Sequence, residues 1–116
     1  MQRRLRLTRS TDIQRVQRFG KSYAHPLMVL KALASDLPQI RVGVLAGRLV
    51  GGAVRRNRAK RLLRAAIRSL LPDITPGWDI ILIARKPFSE ASMLEIRSAI
   101  ISLLKNSQLL LKNHDT

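Results

Sequence analysis

The stretch from Val54 to Leu71 limits the fold more than any other part of the chain. It reads as one helix, with Pro72 marking its end. At the α-helical period Ala59, Leu62, Leu63, Ala66 and Leu70 fall on one side, and Asn57, Lys60, Arg61, Arg64 and Arg68 fall on the other. Such a stripe is stable only when packed on something else, and the neighbouring runs supply it. "IRVGVLA" (40–46) and "DIILIA" (79–84) read as strands, the second apolar throughout, as in a strand buried on both faces. "LMVLKAL" (27–33) reads as a further strand, with residues 23–26 as its start and "SDLPQ" as the turn after it.

Two more helices are expected. "STDIQRVQRFG" has Ser10 or Thr11 as its cap, Thr11 and Gln14 as a capping box, and Gly20 as a stop. Ile13 and Val16 share one face of it. A final helix spans roughly 89–104, with Ser92 and Glu95 as a capping box and Ile96, Ile100, Leu103 and Leu104 as its stripe. From about residue 105 to 116 the chain reads as a frayed tail. No repeat or linker divides the 116 residues, so 1–116 is expected to be one domain.

Aromatic residues make up only 3% of the chain against 46% hydrophobic residues, so aliphatic side chains must fill the core. The absence of cysteine excludes disulfides, a thiolate nucleophile and a cysteine-based zinc site. The N-terminus lacks the apolar run of a signal peptide, and no stretch is long enough for a membrane span, so a cytoplasmic protein is expected.

Charge identifies the partner class. The 22 cations and 7 anions leave a net charge of +15. Nucleic acid is the default ligand for such a body, because each neutralised phosphate releases a counterion. The cations cluster: nine lie between Arg41 and Arg68 with no acid among them. An ordinary solvated helix face mixes signs, since opposite charges one turn apart add stability and like charges remove it. An acid-free ridge is therefore read as a phosphate-binding surface. Asn57 adds both a donor and an acceptor, able to orient a base edge, a 2′-hydroxyl or a hydrated metal ion. Its other reading is a cap or first-turn residue.

Catalytic signals are weak. Gly47 and Gly52 have the glycine spacing of a P-loop, but Ala53 stands where lysine is required, so Gly51 and Gly52 read as a turn into the helix. His25 and His114 are far apart in sequence. The acids are scattered, and Asp79 reads as a cap or turn residue, with a lone functional carboxylate as the alternative. The residues show binding chemistry and no catalytic constellation.

The stretch "VGGAVRRNRAKRLLRAAIR" resembles the signature of the protein subunit of bacterial ribonuclease P, in which Arg-Asn-Arg is followed by Lys-Arg and a further Arg one turn on. Here these are Arg56, Asn57, Arg58, Lys60, Arg61 and Arg64. "RLRLTRSTDIQRV", "RVGVLAGRLVGGAV" and "DIILIARKP" resemble the family's basic N-terminus and first helix, its central strand and turn, and its last strand. The resemblance implies an α+β fold of order α-β-β-β-α-β-α, in a class shared with a ribosomal protein domain. Its βαβ crossover would be left-handed, against the usual rule.

The resemblance also implies a function. The catalyst would be a large RNA using Mg²⁺, and the protein would help it remove the 5′ leader of precursor tRNA. Arg48, Arg55, Arg56, Asn57, Arg58, Lys60, Arg61, Arg64 and Arg68 would face that RNA. Arg9, Ile13, Gln17 and Tyr23 would meet the single-stranded leader in a cleft between the first helix and the sheet. No metal ligand in the protein is implied. Family members often present aromatics on the first helix, where this chain has Ile13 and Gln17 with Phe19 nearby. The usual paired lysines at the turn read Gly47-Arg48. Leader contact is thus expected to rest on Tyr23, aliphatic packing and phosphate charge, with weaker discrimination among bases. A ribosomal or chaperone-type RNA binder, a DNA binder and a stand-alone nuclease are the alternatives. The second lacks base-reading side chains, and the third lacks an acidic or histidine cluster.

Overall fold

Alternation along one strand organises the whole molecule. In Trp78–Ala84, the residues Ile80, Leu82 and Ala84 join the main core, while Ile81 joins a second, smaller cluster on the opposite face. This strand is buried on both sides, as its unbroken apolar run predicts. The computed structural model describes residues 5–111. Its elements are α1 (Ser10–Phe19), β1 (Lys21–Ala24), β2 (Met28–Ala34), β3 (Arg41–Ala46), α2 (Ala53–Arg68), β4 (Trp78–Ala84) and α3 (Met93–Asn106). The order is the α-β-β-β-α-β-α that the family resemblance implies.

The sheet runs β1-β2-β4-β3. β1 with β2 and β2 with β4 are antiparallel, whereas β3 and β4 are parallel and joined through α2. Helices α2 and α3 bury Ala59, Leu63, Ile67, Ile96, Ile100 and Leu104 in the main core with Met28, Leu30, Val42 and Val44 of the sheet. On the other face Val16 of α1 seats on Ile81, with Ile13, Leu33, Leu45 and Ile83 half-buried around them. The segment before α1 follows the outer edge of β3, where Leu7 N–H donates to the Val42 carbonyl at 2.9 Å.

Several boundaries differ from expectation. Residues 23–26 do not begin β2. β1 is a separate strand ending at Ala24, and Pro26, which has no N–H, sits in the turn closed by His25 and Met28. At α1 the N-cap is Arg9, with no side-chain cap, so neither Ser10 nor Thr11 caps it and no Thr11–Gln14 box forms. The Leu7–Val42 pairing leaves the chain extended at Arg9, and the helical ladder starts with Ile13 N–H to the Arg9 carbonyl. Gly20 does stop the helix, because a Cβ there would collide with the Val16 carbonyl oxygen.

Helix α2 ends at Arg68, before the expected Leu71. Pro72 disfavours the helical conformation in the residue before it, and the chain tightens into a 3₁₀ turn over Leu71–Asp73. Ser89 lies in another 3₁₀ turn, Lys86–Glu90, so α3 starts later than expected, at its Ser92–Glu95 capping box. Over residues 105–111 the tail is not frayed: Leu109 is buried, its carbonyl accepts from Thr75 N–H, and Leu111 N–H donates to the Asp73 carbonyl. Residues 112–116 lie outside the described residues.

Candidate nucleic-acid interface

Helix α2 presents its cations in three directions. Ala59, Leu63, Ala66 and Ile67 face the core. Opposite them Asn57, Arg61 and Arg68 are exposed, with Arg64 half-buried on the same ridge. Asn57 lies well inside the helix, since the N-cap is Gly52, so the capping alternative does not hold. Arg55 and Arg58 occupy one flank, and Arg56 and Lys60 the other.

The turn entering α2 needs a glycine. Gly51 has φ 141°, and a Cβ there would stand 2.6 Å from Arg55 Cδ. Arg48 is exposed in the 3₁₀ turn Arg48–Val50, which Val50 anchors in the core while Leu49 points outward at 80% exposure. The helix begins with no acid in its first turn and no side-chain cap.

Each flank opens on a concavity. Arg56, Asn57 and Lys60 line one with Ala46 and Ala53, and the buried Nε of Arg56 has no protein acceptor among the described residues. Lys60 and Arg64 line a second, at the edge of β3, together with Arg6, Leu7, Ile13 and Gly43. Burial, and then repulsion from Arg6, push the Arg64 guanidinium below its ordinary value. On the opposite flank Arg55 and Arg58 face the Lys86–Glu90 turn across a groove that also receives Lys86 and Glu90. Lys86 has no signal in the sequence, because one lysine in a turn carries no periodicity.

The second surface lies beside α1. Ile13 and Gln17 are one turn apart on one side of it, and Arg9 precedes them at the N-cap. Below them the register aligns Ala24, Val29, Ile83 and Leu45 across all four strands on the α1 face. Val29, Ile83 and Leu45 remain half-exposed there. Arg9, Ile13 and Gln17 are thus brought together, but Tyr23 is not. It pairs with Leu30 and packs against the main core on the opposite face, with Lys21 Nζ 5.6 Å from its ring centroid. Lys31 does lie on the α1 face: it pairs with Ile81 and donates from Nζ to the Gln17 carbonyl at 3.3 Å. Phe19 is 65% exposed with Arg18 over its ring.

Asp79 is fully buried and is neither a cap nor a turn residue, nor a lone carboxylate. Arg41 Nε donates to its Oδ1 at 2.8 Å and Arg41 Nη2 to its Oδ2 at 2.7 Å, while Arg15 Nη2 donates to Oδ2 at 2.9 Å. Asp12 lies 3.5 Å from Arg41 Nη1. The hydrogen bonds to Asp79 hold the Arg41 guanidinium above its ordinary value. Among the described residues no three His, Cys, Asp or Glu side chains converge as metal ligands. Asp79 is taken by two guanidiniums, and His25 Nδ1 accepts from Leu27 N–H. No described helix is long and apolar enough to cross a membrane.

The profile of the family described as Ribonuclease P matches residues 1–108. The ribonuclease P protein component of Herpetosiphon aurantiacus is 39% identical over 109 residues, covering 94% of this chain and 89% of that protein. The component of Natranaerobius thermophilus is 41% identical over 107 residues, covering 92% and 93%. Among solved structures, the Staphylococcus aureus RNase P protein superposes with a TM-score of 0.82 at 28% identity, covering 91% of this chain and 97% of that one. The Thermotoga maritima RNase P protein gives 0.78 at 30% identity, covering 87% and 96%. With the family profile matching residues 1–108 and solved RNase P proteins sharing the fold, this chain belongs to the ribonuclease P protein family and is a ribonuclease P protein component.

Proposed function

We propose that this chain is the non-catalytic subunit of a ribonucleoprotein endoribonuclease, binding a catalytic RNA through α2 and the 5′ leader of precursor tRNA through the cleft beside α1. The observation that carries this reading is the acid-free ridge of Asn57, Arg61, Arg64 and Arg68, exposed or half-exposed on a helix whose other face is locked in the core. A rigid helix holds its cations at fixed spacing, so little side-chain order remains to be imposed when phosphates dock. Arg48, Arg55, Arg56, Arg58 and Lys60 extend the surface around the helix, and Lys86 extends it across the groove.

In the cleft, Arg9 and Lys31 supply phosphate contacts, while Ile13, Val29, Ile83 and Leu45 supply an aliphatic floor for unstacked bases. Tyr23 takes no part, since it faces the other side of the sheet. The chemistry belongs to the RNA and its Mg²⁺, in the cytoplasm. Hydrolysis leaves a 5′-phosphate on the mature tRNA, and the protein contributes binding energy and orientation.

The deciding experiment is precursor-tRNA cleavage by a bacterial ribonuclease P RNA at low Mg²⁺, with and without the protein. Restored cleavage at the mature 5′ end supports the reading. RNA binding without any gain in cleavage would make the chain a general RNA-binding module.

A further inference from the structure

The two long sides of α1 are held very differently. Asp12 and Arg15, three residues apart, lie on one side; Ile13 and Gln17, four apart, lie on the other; Val16 sits between them on the sheet. The first side is fixed by ions. Arg15 bonds to the buried Asp79 of β4, and Asp12 meets Arg41 of β3, which itself grips Asp79 through two nitrogens. The second side carries no such ion pairs: it is held by the packing of Ile13 against the small cluster of Leu7, Val16 and Ile81 and by the solvent-exposed bond from Lys31 Nζ to the Gln17 carbonyl.

We propose that Asp79 is a positioning residue for the substrate cleft: with Arg41, Arg15 and Asp12 it pins one side of α1 to the sheet and so sets the gap between Ile13–Gln17 and the row Val29–Ile83–Leu45. The inference rests on the reading of that cleft as the leader path. A burial argument supports it. A carboxylate with no solvent access is costly unless every oxygen is satisfied by well-placed donors, so its partners have one favourable geometry. The bidentate Arg41 fixes Asp79 within the sheet, and the remaining contact from Arg15 is then a fixed anchor for the helix. Small displacements of α1 would change the cleft while leaving the apolar face of α2, packed in the main core on the other side of the sheet, in place.

The test uses the reconstituted holoenzyme and compares the affinity for precursor tRNA with its leader against that for leaderless tRNA. Arg15→Ala removes the anchor but leaves Asp79 satisfied by Arg41, and Asp12→Asn removes the second contact without losing a cation. Each variant should reduce the leader-dependent gain in affinity by roughly threefold or more, the range for residues coupled through packing. Affinity for the catalytic RNA should stay unchanged, and hydrogen exchange should quicken in α1 and not in α2. If only Arg15→Ala weakens leader binding, Arg15 acts as a direct phosphate contact and the positioning role is overturned. An unchanged leader-dependent gain in both variants overturns it as well. If the wild-type holoenzyme itself shows no such gain, the cleft reading fails, and the inference with it.

Discussion

Arg41 and Asp79, 38 positions apart in sequence, are joined by two hydrogen bonds of 2.8 and 2.7 Å across the parallel pair β3–β4. The carboxylate has no solvent exposure, and the Arg41 side chain retains 17%. Removing one partner strands the other in a place water reaches poorly. Arg41→Ala is expected to cost on the order of 3–5 kcal/mol, as for other broken buried pairs. Arg15→Ala removes a single bond from a side chain that is 43% exposed, so its cost should stay below about 1 kcal/mol. Urea unfolding of the two variants checks the difference, and equal losses would contradict it.

The ridge on α2 predicts a salt effect. If Arg61 and Arg64 each neutralise one phosphate, Arg61→Ala and Arg64→Ala should each weaken RNA binding and lower the slope of log K against log salt by roughly one unit. Titrations at several salt concentrations read this directly. Unchanged affinity and slope in both would mean that the ridge faces solvent in the complex.

Glu95 predicts a pH effect on stability. Hydrogen bonds from the Ser92 backbone N–H and hydroxyl hold its carboxyl below the usual carboxylate range. The charged form is therefore favoured in the folded protein. Its contribution is present above the unfolded-state value of about 4.3 and is lost as pH falls through the lower folded-state value. Glu95→Gln keeps a capping side chain without the charge. The gap in melting temperature between wild type and Glu95→Gln should narrow as pH falls below about 4. A gap independent of pH would show that the carboxylate charge adds nothing.

What could be read from the sequence follows the range of each interaction. The Ser92–Glu95 box spans three residues, and the α2 ridge follows one helical period, so both are visible in the chain itself. β1 is not, because Lys21–Ala24 is short and mostly exposed, with neither an apolar run nor a clear alternation. Its existence depends on β2 being there to pair with. The Arg15–Asp79 contact spans 64 positions and needs the sheet to exist first. Lys31 shows the same limit. Inside an apolar run it reads as one solvated strand position, and only the register of β2 against β4 places it beside α1. The family resemblance implies Tyr23 in the cleft, but strand alternation turns it to the other face.

The cleft beside α1 has no aromatic ring at Ile13 or Gln17, and that absence can be reversed. Gln17 is exposed, one turn from Ile13, and its backbone already accepts from Lys31. A ring at this exposed position would displace no core residue. Stacking of a base on an aromatic side chain is worth about 1–3 kcal/mol. Gln17→Phe should therefore tighten binding of leader-bearing precursor by roughly fivefold or more, and leave leaderless tRNA unaffected. It should also sharpen the response to the leader base at that point, since stacking strength varies with the base and phosphate attraction does not. Competition among precursors differing at one leader position measures both effects. An unchanged affinity would place the leader away from Gln17, and the cavity at the β3 edge, where Ile13 meets the cationic walls of Arg6, Lys60 and Arg64, would become its path instead.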